Sequence, residues 1–351
     1  MNKSDELDLK STIFYYFREK QYNSMLNKSK EGISKFKGDA SFHLFHCLSL
    51  ILANRLEEGI HSLETINMEN EIKLAVTIAL MYSHKLFGVS NKNLFLKLDG
   101  QMRDYRKDAD AGDFYYSAFV LLCFNKSEKA LDYAEKALAM QSSLSECLSL
   151  KGWILLYLYE RGKRAAMNIK DVFEHALQLN PKNLDIIMGF TESCLLQNDS
   201  SKALEIINKA IVHHSATNLP LLQKLKIQLA AFEWDQVQET VNRINTIDSK
   251  NLYVKKISII IKLCRLTNYE EAALDIENLS HLLDTVEPGN IQIVCEYSQL
   301  FSGICNKNVE ILSQTTAMLV NALQNNPESL ELIIELGYQA LARGNSKEAA
   351  R

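Results

Sequence analysis

Small or β-branched residues recur in pairs seven positions apart, each pair followed by a break in the apolar pattern: Ala130/Ala137, Ile169/Ala176, Ala203/Ala210, Val237/Ile244 and Ala272/Leu279, with Ala349 opening one more. Seven residues is two helical turns, so both members of a pair lie on one stripe of a helix. Ile169, Ala203, Val237 and Ala272 recur at the tetratricopeptide period of about 34 residues. Each unit therefore reads as two antiparallel helices, A and B, which need small side chains where they cross. Gly152 and Gly337 take the crossing position of helix A. Proline ends helix B in two units, from Ala176 to Pro181 and from Ala322 to Pro327.

The pattern predicts an all-α chain: a right-handed superhelical solenoid of about nine and a half tetratricopeptide repeats. Tyr22, Gly59 and Ala79 anchor three degenerate units, so residues 1–110 form an irregular front and residues 111–351 continue it as regular repeats. Between Tyr157 and Met167 the turn exceeds the repeat spacing by about five residues. Helix B is extended over Ala272–Thr285 and Val309–Gln324. The last unit, ELGYQALARGNSKEAAR, predicts a helix over Ile333–Arg343, a turn at Gly344–Asn345 and a second helix from Ser346. Repeat arrays end in polar caps, so the expectation is an array cut short, with Ile333, Leu336 and Ala340 open to water.

Helix A carries a second apolar face, about 100° or more from the stripe that packs on helix B. Tyr115, Phe119, Trp153, Met188, Leu222, Ile257 and Ile261 lie on it and are the candidate concave-groove contacts for a partner. A helix apolar on two faces is buried on both. Either the superhelix winds tightly and packs on itself, or the groove holds an apolar helix of a partner. The lysine and asparagine set that clamps an acidic C-terminus in chaperone-binding repeats is absent; Tyr115, Phe119, Ser149, Trp153, Met188 and Glu192 stand in those places.

Composition sharpens this picture in three ways. Only 13 glycines and 4 prolines occur in 351 residues, against a usual combined share of about 12%, which argues for long helices and few tight turns. A net charge of −4 gives no electrostatic footprint for nucleic acid or anionic lipid. The charged start MNKSDELDLK lacks the apolar core of a signal peptide, and the longest uncharged apolar run, Phe114 to Phe124, is too short to span a membrane. The seven cysteines are scattered without a CxxC, as buried thiols in a reducing compartment are.

Candidate chemistry is sparse. His43, His46 and Cys47 fall on neighbouring helical positions, but no fourth ligand accompanies them and Phe42, Leu44 and Phe45 flank them, so half-buried histidines are expected rather than a metal site. His213 and His214 close a helix B, where a cation suits the C-terminal dipole. Trp234 opens a helix B and is expected between paired helices. No phosphate loop, dinucleotide fingerprint, zinc-protease motif or nucleophile elbow occurs. Neither an enzyme nor a cofactor is expected.

Several stretches are more specific than a repeat period: FYYFREKQYNSML (14–26), EGISKF (31–36), ALMYSHK (79–85), KIQLAAFEWDQVQETVNRI (226–244), LDTVEPGN (283–290) and the closing ELGYQALARGNSKEA. In these the chain resembles the N-terminal part of the tetratricopeptide repeat protein 21 family, long repeat-only subunits of intraflagellar transport complex A. The resemblance implies a non-enzymatic scaffold in the cytoplasm and the cilium or flagellum, including its base. It implies β-propeller and repeat subunits of the complex as partners, with the dynein motor and ciliary membrane cargo reached indirectly in retrograde transport and ciliary entry. It implies no nucleic acid, no membrane insertion and no individual catalytic residue. The competing reading is a free-standing adaptor that takes an apolar helix or peptide in its concave groove, unrelated to cilia.

Overall fold

The computed structural model describes residues 3–66, 72–89, 91–163 and 168–350, all of them in helices and the turns between. They form two compact units, one of residues 1–18 and 22–220, the other of residues 221–351 together with Glu19–Gln21.

In the first unit six helix pairs follow one another: α1 (Lys3–Arg18) with α2 (Tyr22–Lys35), α3 (Ser41–Leu52) with α4 (Leu56–Thr65), α5 (Lys73–Leu86) with α6 (Lys92–Asp108), α7 (Ala111–Cys123) with α8 (Ser127–Met140), α9 (Ser145–Glu160) with α10 (Ile169–Leu179), and α11 (Leu184–Leu196) with α12 (Ser200–His213). The second continues with α13 (Leu219–Ala230), which begins two residues earlier, and α14 (Trp234–Ile247), then α15 (Leu252–Ile261) with α16 (Tyr269–Val286), α17 (Ile291–Ile304) with α18 (Val309–Asn325), and α19 (Leu330–Ala342) with the short α20 (Ser346–Ala349). This is the helical repeat fold that the 34-residue period predicts. The lengthened turn after Tyr157 falls between α9 and α10, and its residues 164–167 lie outside the described residues.

The turn inside each pair explains how so few glycines suffice. Among the described residues every A-to-B turn carries at least one in the left-handed region: Lys20, Asn54, Gly88, Asn125, Gly162 with Asn168, Asn198, Phe232, Thr267, Asn306 with Lys307, and Gly344. Asparagine tolerates that conformation far better than other side chains, and here it does the work glycine usually does. Asparagine also starts helices: Asn91, Asn183, Asn251, Asn268, Asn290 and Asn308 each accept backbone N–H bonds of the following turn through their side chains.

Packing between paired helices follows the small-residue stripe. Ala130, Ala137, Ile169, Ala176, Ala203, Ala210, Val237, Ile244, Ala272 and Leu279 are all buried. Gly152 of α9 and Gly189 of α11 both face the ring of Phe173 of α10, where a Cβ would come within 2.5 and 2.1 Å of ring carbons. The fully buried phenylalanine sits between two helices that approach it only because each lacks a side chain there. On α19 the expectation of exposure holds for Ile333, which is 47% exposed, while Leu336 is half-buried and Ala340 buried; α20 folds back on the helix, its end bringing the Ala349 carbonyl 3.9 Å from a Cβ built on Gly337. Trp234 is half-buried, beside Phe232, whose side chain is exposed.

Candidate functional site

The concave face of the first unit is filled by its own first helix. α1 forms readily, with Asp5 and Glu6 in its first turn and Arg18 in its last, each complementing the helix dipole. Its apolar residues leave no wet face to speak of: Leu9, Ile13 and Tyr15 are buried and Phe14 and Phe17 half-buried. Phe14 packs on Phe119 of α7 at 4.9 Å between ring centroids and on Phe45 of α3 at 5.5 Å, and Phe17 meets Phe119 at 5.3 Å. The tightly wound, self-packed alternative is thus the one this unit adopts.

Polar contacts fix the seat along its length. Near the start, Asp8 pairs with His214, just after α12, at 3.0 Å. Farther along, Lys10 binds Asp39 at 2.6 Å and Glu6 at 2.9 Å. Burial alone would lower the Lys10 pKa, but Tyr116, Asp39 and Glu6 outweigh it, and the ammonium is held charged with its pKa raised. At the end of the helix, Arg18 donates to Asp185 Oδ1 of α11 at 2.7 Å while its guanidinium lies 3.8 Å from the centre of the Trp153 ring of α9. Ser149 donates to the other Asp185 oxygen at 2.6 Å. Asp185 is therefore a buried carboxylate with its charge answered from α1 and its second oxygen satisfied from α9.

The seven groove candidates take these places. Tyr115, Phe119 and Met188 of the first unit are buried and Trp153 is half-buried; Phe119 and Trp153 touch α1 directly. Leu222, Ile257 and Ile261 of the second unit are buried as well. The sequence pattern did not single out Asp8, Arg18 or Asp185. Asp185 follows a capping asparagine and reads as an ordinary first-turn acid, and His214 reads as a helix-end cation, whereas its Nδ1 is turned to Asp8. Within the second unit, Lys226 donates to Glu19 at 2.7 Å and Asn290 to the Lys20 carbonyl at 2.6 Å.

The described residues hold no cluster of three or more histidine, cysteine or acidic side chains that would bind a metal. His43 is exposed and Cys47 buried, so the two do not converge. Burial pushes the Cys47 and Cys147 thiols up to about 12 and Cys295 to about 11, far from the thiolate a nucleophile needs. No helix among the described residues is long and apolar enough to cross a membrane.

Two family models match the chain, the tetratricopeptide repeat protein 21 N-terminal ARM repeat over residues 13–238 and the second ARM domain of the same family over residues 274–351. The chain belongs to the tetratricopeptide repeat protein 21 family. It is 30% identical over 346 residues to mouse tetratricopeptide repeat protein 21B, covering 98% of this chain and 26% of that protein. The Caenorhabditis elegans homologue is 21% identical over 97% of this chain and 25% of its own length. The chain thus spans about a quarter of the length of these relatives. Among solved structures it is similar to yeast Tom70, with a TM-score of 0.54 and 12% identity over 99% of this chain and 83% of that one, which speaks for the fold alone. The family-like stretch FYYFREKQYNSML includes Phe14, Phe17 and Arg18, so part of the resemblance rests on side chains that seat α1.

Proposed function

We propose that this chain is a non-enzymatic scaffold portion of an intraflagellar transport complex A subunit, acting in the cytoplasm and the cilium. There it supports retrograde transport and the entry of membrane cargo through contacts with the β-propeller and repeat subunits of that complex. Membership of the tetratricopeptide repeat protein 21 family carries the reading. The seated α1 bears on how such a scaffold works: with the concave face of the first unit occupied in cis, partners are met on the outer helices and turn edges. The same observation disfavours the free-standing groove adaptor, because a partner helix would have to expel a helix that carries three aromatic contacts and a buried ion pair.

The test is affinity purification of the tagged, full-length gene product from ciliated cells, followed by identification of what co-purifies. Stoichiometric β-propeller transport subunits are the expected result, together with loss of retrograde movement in cells lacking the gene. Normal cilia in such cells and no transport subunits in the eluate would overturn the proposal.

A further inference from the structure

The second unit contains a cavity of about 500 Å³ between α14 and α16, floored by α15. One wall is a stripe of carboxamides on α14, Gln238, Asn242 and Asn245, which at spacings of four and three residues share one helical face; Asn278 of α16 stands on the opposite wall. Gln238 donates to the Asn242 oxygen at 3.0 Å and the Asn245 oxygen accepts from Lys255 at 3.3 Å, which leaves the Gln238 oxygen, the Asn242 and Asn245 NH2 groups and the Asn278 carboxamide to offer a ligand both acceptors and donors. Such groups match a peptide backbone, which carries one of each per residue and, when extended, has neither satisfied internally. A helical ligand, with its backbone groups already paired, would gain nothing from that wall.

Charge narrows the ligand further. Lys262 is answered twice, by Asp275 at 2.8 Å and Glu271 at 3.1 Å. Lys255, half-buried on the floor, donates to the neutral Asn245 oxygen at 3.3 Å and meets no carboxylate among the described residues. Beside it Val241, Ile259 and Leu279 contribute apolar surface. At the rim the helix of α15 widens into a π turn at Lys262–Leu266, a local irregularity that recurs at functional sites. A single lysine with no carboxylate partner among the described residues, beside an apolar floor, suits one carboxylate flanked by an apolar side chain.

We infer that this cavity binds a short extended peptide segment, its backbone held by Gln238, Asn242, Asn245 and Asn278 and an acidic side chain held by Lys255. The site is independent of the ciliary reading and shares no lining residue with the seat of α1. It is tested with an array of acetylated pentapeptides whose central residue is Glu or Gln and whose flanking positions sample apolar residues, probed with the 351-residue chain; hits are re-measured by titration calorimetry. Saturable binding to Glu peptides is expected, weakened about tenfold by Asn242→Ala. Lys255→Met should abolish a preference of about fivefold for Glu over Gln. Asn242 is exposed and Lys255 half-exposed, and unchanged circular dichroism and thermal midpoint of both variants confirm that the fold is retained. Absence of any saturable hit, equal affinity for Glu and Gln peptides, or binding indifferent to both substitutions would overturn the assignment.

Discussion

Arg18→Met is the perturbation that weighs the seat of α1 most directly. Methionine keeps an apolar stem over Trp153 but removes the guanidinium that answers Asp185. The carboxylate side chain is 8% exposed and that of Arg18 is 20% exposed, so water reaches neither well. Removing one partner of a buried pair costs about 3–5 kcal/mol, and the retained hydroxyl bond from Ser149 places the loss toward the lower end, about 3 kcal/mol. Asp185→Asn strands the arginine and should cost a similar amount. In the double variant neither charge remains unanswered, so the combined loss should fall short of the sum by about 2 kcal/mol. Urea unfolding followed by tryptophan fluorescence reads this out; in a Trp234→Phe background Trp153 is the one tryptophan left of two, and it reports on the first unit. Losses that simply add, within about 0.5 kcal/mol, or an Arg18→Met cost under about 1 kcal/mol, would refute a coupled, buried latch.

Two further outcomes follow from the first unit. Gly189→Ala should lower the calorimetric midpoint, since overpacking against Phe173 costs about 1–3 kcal/mol and exceeds the roughly 1 kcal/mol by which alanine favours a helix over glycine; Phe173→Leu added to it should restore part of the loss, and a neutral Gly189→Ala would contradict the close approach. Asp113 of α7 accepts the Leu74 and Ala75 N–H groups at the start of α5, yet burial pushes its carboxyl pKa up to about 6 against the pull of those bonds. An acid that protonates more readily folded than unfolded contributes most below its unfolded pKa of about 4 and loses that contribution as pH rises through 6. Asp113→Asn should therefore gain stability relative to the parent by up to about 3 kcal/mol between pH 4 and pH 7; a difference constant with pH in parallel thermal melts would refute this.

The repeat architecture was legible because helix crossings force small residues at fixed spacing, and a spacing survives where identity does not. Ala176, Ala203 and Ala210 mark their helices as plainly in the chain as in the packed unit. Two-faced burial of helix A was legible for the same reason. What filled the groove was not, because the contacts of α1 obey no period: Phe14 meets residues of α3 and α7, Arg18 a residue of α11 and Asp8 one beyond α12. Nothing in the spacing of Asp8, Arg18, Asp185 and His214 sets them apart from other surface charges. The carboxamide stripe on α14 was hidden differently, since Gln238, Asn242 and Asn245 read as an ordinary polar helix face until α15 and α16 enclose it.

The seating of α1 also bears on how the chain is made. The partners of its ends lie 167 and 206 residues downstream, and at about 5–20 residues per second a ribosome needs roughly ten to forty seconds to reach the more distant one. Paired helices can close locally as they emerge, but Phe14 and Phe17 lack their main partner until Phe119 has left the exit tunnel, and Arg18 lacks its own until Trp153 and Asp185 follow. For that interval the earliest-made helix is an exposed hydrophobic segment on a half-built array, the kind of surface that chaperones shield. Nascent chains stalled before residue 185 should be cut by protease within α1, and chains stalled well beyond residue 214 should resist.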